Sequence, residues 1–182
     1  MAGDWQFLRS TPLRSMGKLT LREDRWRLPT GVERAYPVLH VGATVGVVPL
    51  VDRERVVLIR QFRHLVREDS WELPGGGALP GERPEEAAQR ELREEGGYRA
   101  GRLTFLTRFF PSSAYLDEEA HCYLGEDLVA DPLPSDDDEF FERRVVPLQE
   151  AVAMALDDRI TESVSKVALL AAALRLGVRV SV

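Results

Sequence analysis

Runs of apolar residues predict β-strands on either side of a polar turn in the first third of the chain. The segment 36–50, YPVLHVGATVGVVPL, is rich in valine, and the segment 55–63, RVVLIRQFR, is a second run of β-branched residues. Such runs, bounded by proline or aspartate, are typical of strands. The polar residues between them, VDRER, predict a hairpin loop. Residues 1–35 are polar with scattered aromatic side chains, a pattern that indicates peripheral strands rather than core.

Two more strand candidates and two helices follow in the second half of the chain. The strand candidates are RLTFLTRFF and AHCYLGEDL, separated by the loop PSSAYLDEE. The segment RRVVPLQEAVAMAL passes from strand into helix, with Pro147 near the helix start, where its missing N–H is tolerated. A last helix is predicted from Thr161, as its N-cap, to about Arg175, with Gly177 ending it. This order of elements predicts an α/β fold in which a mixed sheet packs between helices.

The segment GGGALPGERPEEAAQRELREEGGY, residues 75–98, contains an acidic helix between two groups of glycines. Pro84 suits the first helical turn, and the acidic residues after it favour the positive end of the helix dipole. Gly96 and Gly97 supply a left-handed stop, so the helix is predicted over residues 84–95.

Three carboxylates of this helix share one face. At 3.6 residues per turn, Glu91, Glu94 and Glu95 fall within roughly 100° of one another. Acidic faces of helices are usually solvated surfaces, with Arg90 and Arg93 here as neutralising partners. The glycine-rich turn before the helix favours another interpretation, because hard cations take oxygen ligands from carboxylates and backbone carbonyls alike. The pattern therefore predicts a magnesium site built from oxygen ligands.

Composition narrows the class of protein. A chain of 182 residues with 44% hydrophobic and 30% charged residues and a mean hydropathy of -0.22 is typical of one globular domain. The net charge of -6 opposes nucleic-acid binding, so an anionic ligand needs a local cation. One cysteine, Cys122, excludes an intrachain disulfide and favours a reducing compartment. No signal-like segment or membrane-spanning run is found, which predicts a cytoplasmic protein without a membrane partner.

The spacing of the glycine and acidic residues resembles the signature of the Nudix hydrolases, GX5EX7REUXEEXGU, which is called the Nudix box. Every fixed position is filled, and Tyr98 stands where an aliphatic residue is usual. The matching residues are Gly76, Glu82, Arg90, Glu91, Leu92, Glu94, Glu95 and Gly97.

This resemblance implies a fold and a set of metal ligands. The fold would be a Nudix α/β/α sandwich with a mixed sheet over residues 36–182, preceded by a small N-terminal β region over residues 1–35. Nudix enzymes cleave a diphosphate linked to another moiety with water and Mg²⁺ or Mn²⁺, here two or three ions. The resemblance implies Glu91 and Glu95 as main metal ligands and Glu94 as a further ligand or a base. Gly75 would add its backbone carbonyl, and Arg90 would orient a box glutamate such as Glu82.

Other segments resemble the ADP-ribose and nucleoside-diphosphate-sugar pyrophosphatases within this family. They are RQFRH, FFPSSAYLDEEAHCYLGEDL, DDDEF and ITESVSKVALLAAAL. By this resemblance the substrate is a nucleoside diphosphate sugar, the products are a nucleoside monophosphate and a sugar phosphate, and the protein is a homodimer.

The same resemblance assigns substrate contacts, each with a plain structural alternative. Arg63 would grip the diphosphate, and otherwise it is an exposed strand arginine in an ion pair. Glu118 would lie beside the substrate, or it is a surface acid. Trp5, Phe7 and Trp26 are candidates to stack on the base in a dimer whose N-terminal strands swap between subunits, or they pack a peripheral sheet. Glu139 is the candidate base on a mobile loop, with Asp138 and Glu142 as alternatives, although DDDE is also what a disordered acidic loop looks like.

Several other activities stay open at the level of the sequence. A broad nucleoside-diphosphate-sugar hydrolase, or one that prefers GDP-mannose or ADP-glucose, fits the same residues. A nucleotide-sugar sensor without catalysis is disfavoured by the intact box. An RNA-cap hydrolase is disfavoured because a basic, aromatic-rich patch is absent. Dinucleoside polyphosphate hydrolysis is also compatible with the box. His121 and Cys122 are predicted to be packed residues of a strand rather than catalytic groups.

Overall fold

The computed structural model describes residues 4–135 and 140–178. The chain divides into two compact units. The first contains Met1–Gly42 and Phe110–Glu119, and the second contains Ala43–Phe109 and Ala120–Val182.

The first unit is an antiparallel sheet in the order β1-β2-β3, with β1 over Gln6–Met16, β2 over Leu19–Arg27 and β3 over Glu33–His40. Strands β1 and β3 are largely exposed, as the polar sequence predicts, whereas β2 between them is mostly half-buried. The segment 110–119 is attached to this sheet through Asp117. The Asp117 carboxylate accepts hydrogen bonds from Arg22 Nη1 at 2.6 Å and from the Val41 N–H at 3.0 Å, and it lies 2.6 Å from His40 Nδ1.

The other strands that the structure describes form two sheets in the second unit. One has the order β10-β5-β6 and the other the order β7-β4-β9-β8. Their bounds are β4 Ala43–Pro49, β5 Arg55–Arg63, β6 Glu68–Glu72, β7 Gly75–Gly77, β8 Tyr98–Phe109, β9 Glu119–Ala130 and β10 Phe141–Pro147. The predicted α/β class is confirmed, and the N-terminal β region, expected over residues 1–35, has strands as far as His40 in β3.

The hairpin predicted between β4 and β5 is wrong. These strands belong to different sheets, and only an isolated bridge joins Leu50 to Val56 beside the turn. Both strands carry continuous runs of buried residues, so each needs a hydrophobic layer on both of its faces. The two core clusters provide those layers for β4, because Val48 packs in one and Val45 and Val47 pack in the other.

Among the residues that the structure describes, three helices complete the second unit. They are α1 over Pro84–Glu91, α2 over Leu148–Leu156 and α3 over Ser163–Leu176. The small residues Ala87 and Ala88 of α1 are fully buried in a cluster with Val45 and Val47 of β4. This packing holds α1 close to the sheet. The position of the helix in turn sets where its acidic side chains lie. In the part of the chain that the structure describes, no helix is long and apolar enough to cross a membrane.

Two helix boundaries differ from the predicted ones. The α-helical geometry of α1 ends at Glu91 and continues as a π turn over Leu92–Gly96, where an α-helix to residue 95 was expected. Helix α3 has Glu162 as its N-cap rather than Thr161. Glutamate is absent from the usual N-cap residues, and the longer side chain succeeds here because it reaches two backbone N–H groups at once. Gly177 ends α3 in the left-handed conformation, as predicted.

Candidate active site

The acidic helix α1 is fixed at its first turn by local hydrogen bonds. Pro84 occupies the first helical position, as predicted. The Arg83 N–H donates to Glu86 Oε2 at 3.1 Å, which is half of a capping box. The helix therefore begins at a defined residue, and its next turns carry the box carboxylates.

The C-terminal end of the helix is a π turn, a feature often found at functional sites. The turn ends at Gly97, whose φ of 80° is left-handed, so the predicted glycine stop is confirmed. Arg143 of β10 donates from Nη2 to the Glu94 carbonyl at 3.0 Å and from Nε to the Glu95 carbonyl. The backbone that carries Glu94 and Glu95 is thus held from outside the helix.

Arg90 is the central cation of the acidic face. Its Nε and Nη2 each donate to Glu82 at 3.0 Å, which confirms that Arg90 orients this box glutamate. Its Nη1 donates to Glu91 Oε1 at 2.7 Å and to Glu94 Oε2 at 2.9 Å. The hydrogen bonds from Arg90 lower the pKa of Glu82, and the bond to Glu82 raises the pKa of Arg90. One guanidinium therefore binds three carboxylates of this face at once.

The carboxylates of Glu91 and Glu95 face strand β7. The Gly75 N–H donates to Glu95 Oε2 at 2.7 Å. A Cβ atom added to Gly76 would lie 2.7 Å from Glu91 Oε1, so the absence of a side chain at Gly76 gives this carboxylate its space. Both glutamates are buried, at 7% and 4% exposure. Buried carboxylates are costly unless they are paired or coordinate a cation.

The donor set of this face fits a divalent cation by chemistry. Glu91, Glu94 and Glu95 offer carboxylate oxygens beside the backbone of β7, and hard cations prefer oxygen ligands. Within residues 4–135 and 140–178, no group of three His, Cys, Asp or Glu side chains is already arranged to hold a metal. Arg90 instead provides the positive charge between Glu91 and Glu94.

Comparisons with known proteins decide the family. A sequence model of the NUDIX domain matches residues 40–167. The chain belongs to the Nudix family. It is 37% identical over 130 residues to the ADP-ribose pyrophosphatase of Bacillus subtilis (strain 168), covering 70% of each chain. It is 30% identical over 172 residues to the ADP-ribose pyrophosphatase of Mycobacterium tuberculosis (strain ATCC 25618 / H37Rv), covering 92% of this chain and 83% of that one.

A solved structure supports the same assignment. The crystal structure of ADP compounds hydrolase superposes with a TM-score of 0.83 at 25% identity, and the match covers 97% of this chain and 96% of that chain. The predicted Nudix fold is therefore confirmed. Nudix hydrolases generally need a divalent metal.

Arg63 of the Nudix domain is held by a buried acid. Its Nε donates to Glu72 Oε1 at 2.8 Å and its Nη2 donates to Glu72 Oε2, while Glu72 is only 2% exposed. The hydrogen bond to Glu72, with further attraction from Glu162 and Glu95, raises the pKa of Arg63. The Arg63 side chain is 45% exposed. The guanidinium is thus fixed in direction by Glu72 and still reaches solvent.

The other residues expected to contact substrate belong to the first unit. Trp5 lines an aromatic cleft of about 680 Å³, together with Trp26 and Tyr36. Phe7 packs edge-on against Trp26, with ring centroids 5.2 Å apart, and does not line the cleft. Glu118 is half-buried in the segment 110–119. Glu139, the candidate base, and Asp138 lie outside the residues that the structure describes.

Three residues of the Nudix domain matter here that sequence reasoning did not single out. They are Glu72, Arg143 and Ser165. Glu72 is in the apolar motif WELP directly before the glycines, so a lone acid among buried residues was the available signal. Arg143 and Ser165 are distant in sequence from α1, and nothing in their local pattern indicates what they contact. Cys122 and His121 lie in β9, and Cys122 is fully buried, as predicted.

Proposed function

We propose that this protein hydrolyses the diphosphate bond of ADP-ribose or a related nucleoside diphosphate sugar, giving a nucleoside monophosphate and a sugar phosphate. The observation that carries this proposal is the pair of buried carboxylates, Glu91 and Glu95, turned toward β7 on the box helix. The relatives from Bacillus subtilis and Mycobacterium tuberculosis are both ADP-ribose pyrophosphatases, which supports ADP-ribose as the proposed substrate.

The proposed cofactor is Mg²⁺, with Mn²⁺ as a substitute and two or three ions in the site. Glu91, Glu94, Glu95 and the Gly75 carbonyl would hold them. Bound Mg²⁺ supplies the positive charge that offsets the diphosphate and activates water. The residues of the chain provide the rest: Arg90 keeps Glu82 in place through Nε and Nη2, and Gly75 fixes the direction of Glu95.

Arg63 is proposed to bind the negatively charged diphosphate of the substrate. A guanidinium can bind two phosphate oxygens, and pairing with Glu72 orients the group in advance. Glu94, Glu95 and Glu139 are the proposed groups for water activation. Glu118 is a proposed sugar-side contact.

The aromatic cleft of the first unit is the proposed site for the nucleobase. Trp5 and Trp26 lie with ring centroids 6.5 Å apart, and Trp5 and Tyr36 lie 6.3 Å apart. Flat aromatic rings stack on any base, a contact worth about 1–3 kcal/mol. Phe7 supports Trp26 and is proposed to act through it. A homodimer and a cytoplasmic location remain proposals, which the exposed strands of the first unit and the single buried Cys122 support.

A substrate panel tests this function. Purified protein with Mg²⁺ is incubated separately with ADP-ribose, ADP-glucose, GDP-mannose, UDP-glucose and a diadenosine polyphosphate, and kcat/KM is compared. AMP and ribose 5-phosphate formed in strong preference from ADP-ribose are the expected result. Similar cleavage of several sugars would favour a broad hydrolase. Tight binding without cleavage would overturn the enzymatic proposal in favour of a sensor, and sedimentation velocity on the same sample measures the oligomeric state.

A further inference from the structure

The first turn of helix α3 contains a side-chain arrangement that capping alone does not explain. Glu162 accepts from the Val164 N–H with Oε1 and from the Ser165 N–H with Oε2, both at 2.7 Å. Glu162 Oε2 also accepts from the Ser165 hydroxyl at 2.8 Å. The hydroxyl proton is therefore committed to Glu162, and the Ser165 oxygen is left as an acceptor.

The acceptor of Ser165 is used by the segment that enters β7. The Leu73 N–H donates to Ser165 Oγ at 2.9 Å, and Ser165 is 1% exposed. Pro74 follows and has no N–H of its own, while its carbonyl accepts from the Val47 N–H at 2.9 Å. The bond from Leu73 to Ser165 is consequently the last backbone N–H anchor of this segment before Gly75.

A second contact joins the same helical turn to the same pair of strands. Gly46 of β4 is the register partner of Gly75 in β7. A Cβ atom at Gly46 would lie 2.6 Å from Val164 Cγ1, so the Val164 side chain rests directly on the Gly46 backbone. The start of α3 thus touches this strand pair from two successive residues.

The strand pair leads directly to the acidic helix, since the Gly75 N–H donates to Glu95 Oε2 at 2.7 Å. We propose that Ser165 and Glu162 are positioning residues for the active site, which set the backbone of residues 73–75 so that Gly75 orients Glu95. The path runs from the Glu162 carboxylate through the Ser165 hydroxyl and the Leu73 amide to Gly75. This inference rests on the proposed function, because Glu95 matters only if the acidic helix carries the reaction.

Breaking this path of hydrogen bonds should lower turnover by more than it lowers the stability of the fold. Removing the Ser165 hydroxyl leaves the buried Leu73 N–H without its partner. The segment before Gly75 would then sample other positions, and small displacements of catalytic groups reduce turnover strongly. The aromatic cleft proposed for the nucleobase belongs to the first unit, so we expect KM to change less than kcat.

The test compares Ser165→Ala with Ser163→Ala. Ser163 is on the same helical turn, is exposed, and its hydroxyl is 3.5 Å from Glu162 Oε1, so its loss should be neutral. Amide hydrogen exchange over residues 73–77 is measured with kcat and KM for ADP-ribose, well below the unfolding temperature. For Ser165→Ala we expect exchange faster by about tenfold and kcat lower by about tenfold, with KM within about twofold. Ser165→Thr, which restores the hydroxyl, should recover kcat.

The positioning role of Ser165 and Glu162 is overturned if Ser165→Ala shows unchanged exchange over residues 73–77, or if its kcat equals that of Ser163→Ala. If Ser165→Ala does not fold, Glu162→Ala gives the same comparison, because it removes the acceptor that fixes the direction of the Ser165 hydroxyl. Failure of the proposed function is a separate result. In that case wild-type protein cleaves no substrate of the panel, while the exchange comparison still reports whether Ser165 holds the segment.

Discussion

Arg143 donates from Nε to the backbone carbonyl oxygen of Glu95. The same guanidinium donates from Nη2 to the Glu94 carbonyl at 3.0 Å. Carbonyls at the C-terminal end of a helix lack partners within the helix and carry the negative end of its dipole. Arg143 of β10 therefore provides the missing hydrogen-bond donors at the end of the acidic helix, at the residues proposed to bind metal.

Replacing Arg143 should weaken both the fold and the reaction. Arg143→Ala leaves two carbonyls without their charged donor, which should lower the free energy of unfolding by about 1–3 kcal/mol. We expect kcat/KM to fall by about tenfold because Glu94 and Glu95 lose their backbone support. Urea unfolding and steady-state kinetics measure the two effects. Arg144→Ala is the matched control, since Arg144 is the exposed neighbour on β10, and equal effects of both substitutions would contradict this role.

Glu95 is expected to be indispensable for turnover but not for folding. In Glu95→Gln the amide oxygen can still accept from the Gly75 N–H, so the local structure should persist. The loss of charge should lower kcat by at least about a hundredfold. Circular dichroism and kcat are measured together, with Glu85→Gln on the exposed first turn as control. A Glu95→Gln variant with near-normal kcat would remove this helix from the mechanism.

Gly76 and Gly77 offer a paired test of space at the carboxylates. A methyl group at Gly76 would meet Glu91 Oε1 at 2.7 Å, whereas nothing lies within 4 Å of a Cβ at Gly77. Gly76→Ala should therefore displace the Glu91 carboxylate and weaken Mn²⁺ binding by about tenfold or more. Titration followed by electron paramagnetic resonance measures the affinity. Gly77→Ala should bind like wild type, and equal affinities for the two variants would show that Glu91 does not hold the ion.

Acid should destabilise the first unit through Asp117. Burial opposes ionisation of this carboxyl, but the Val41 N–H, His40 and Arg22 outweigh it and lower the pKa to about 2. A carboxyl with a lowered folded pKa stabilises the fold above its unfolded pKa of about 3.9, and this stabilisation is lost as the pH falls toward 2. Asp117→Asn should therefore be less stable than wild type at pH 7, with the difference shrinking below about pH 4. Urea unfolding across this range checks the trend, and a difference that stays constant with pH would contradict it.

Two of the differences between the sequence predictions and the structure have separate physical causes. The hairpin between β4 and β5 failed because a short polar turn says nothing about which sheet each strand joins. The N-cap of α3 failed because Thr161 has the stronger intrinsic preference, whereas Glu162 is selected by its contact with Ser165. Local preference yields here because Ser165, which Glu162 orients, also binds the distant Leu73 N–H.

The sequence alone determined the composition of the acidic face. The spacing of Glu91, Glu94 and Glu95, the helix start at Pro84 and the stop at Gly97 are local properties, because caps, dipoles and helical periodicity act within a few residues. The family follows from the same spacing.

Only the tertiary structure decided what holds this face in place. Arg143, Glu72 and Ser165 reach the site region from β10, β6 and α3, and the fold brings these elements together across long stretches of chain. Such contacts depend on sheet order and helix packing, which arise from burial of the whole core rather than from any short pattern. The acidic residues of the site could therefore be predicted from the sequence. The contacts that hold them in place could be seen only in the folded structure.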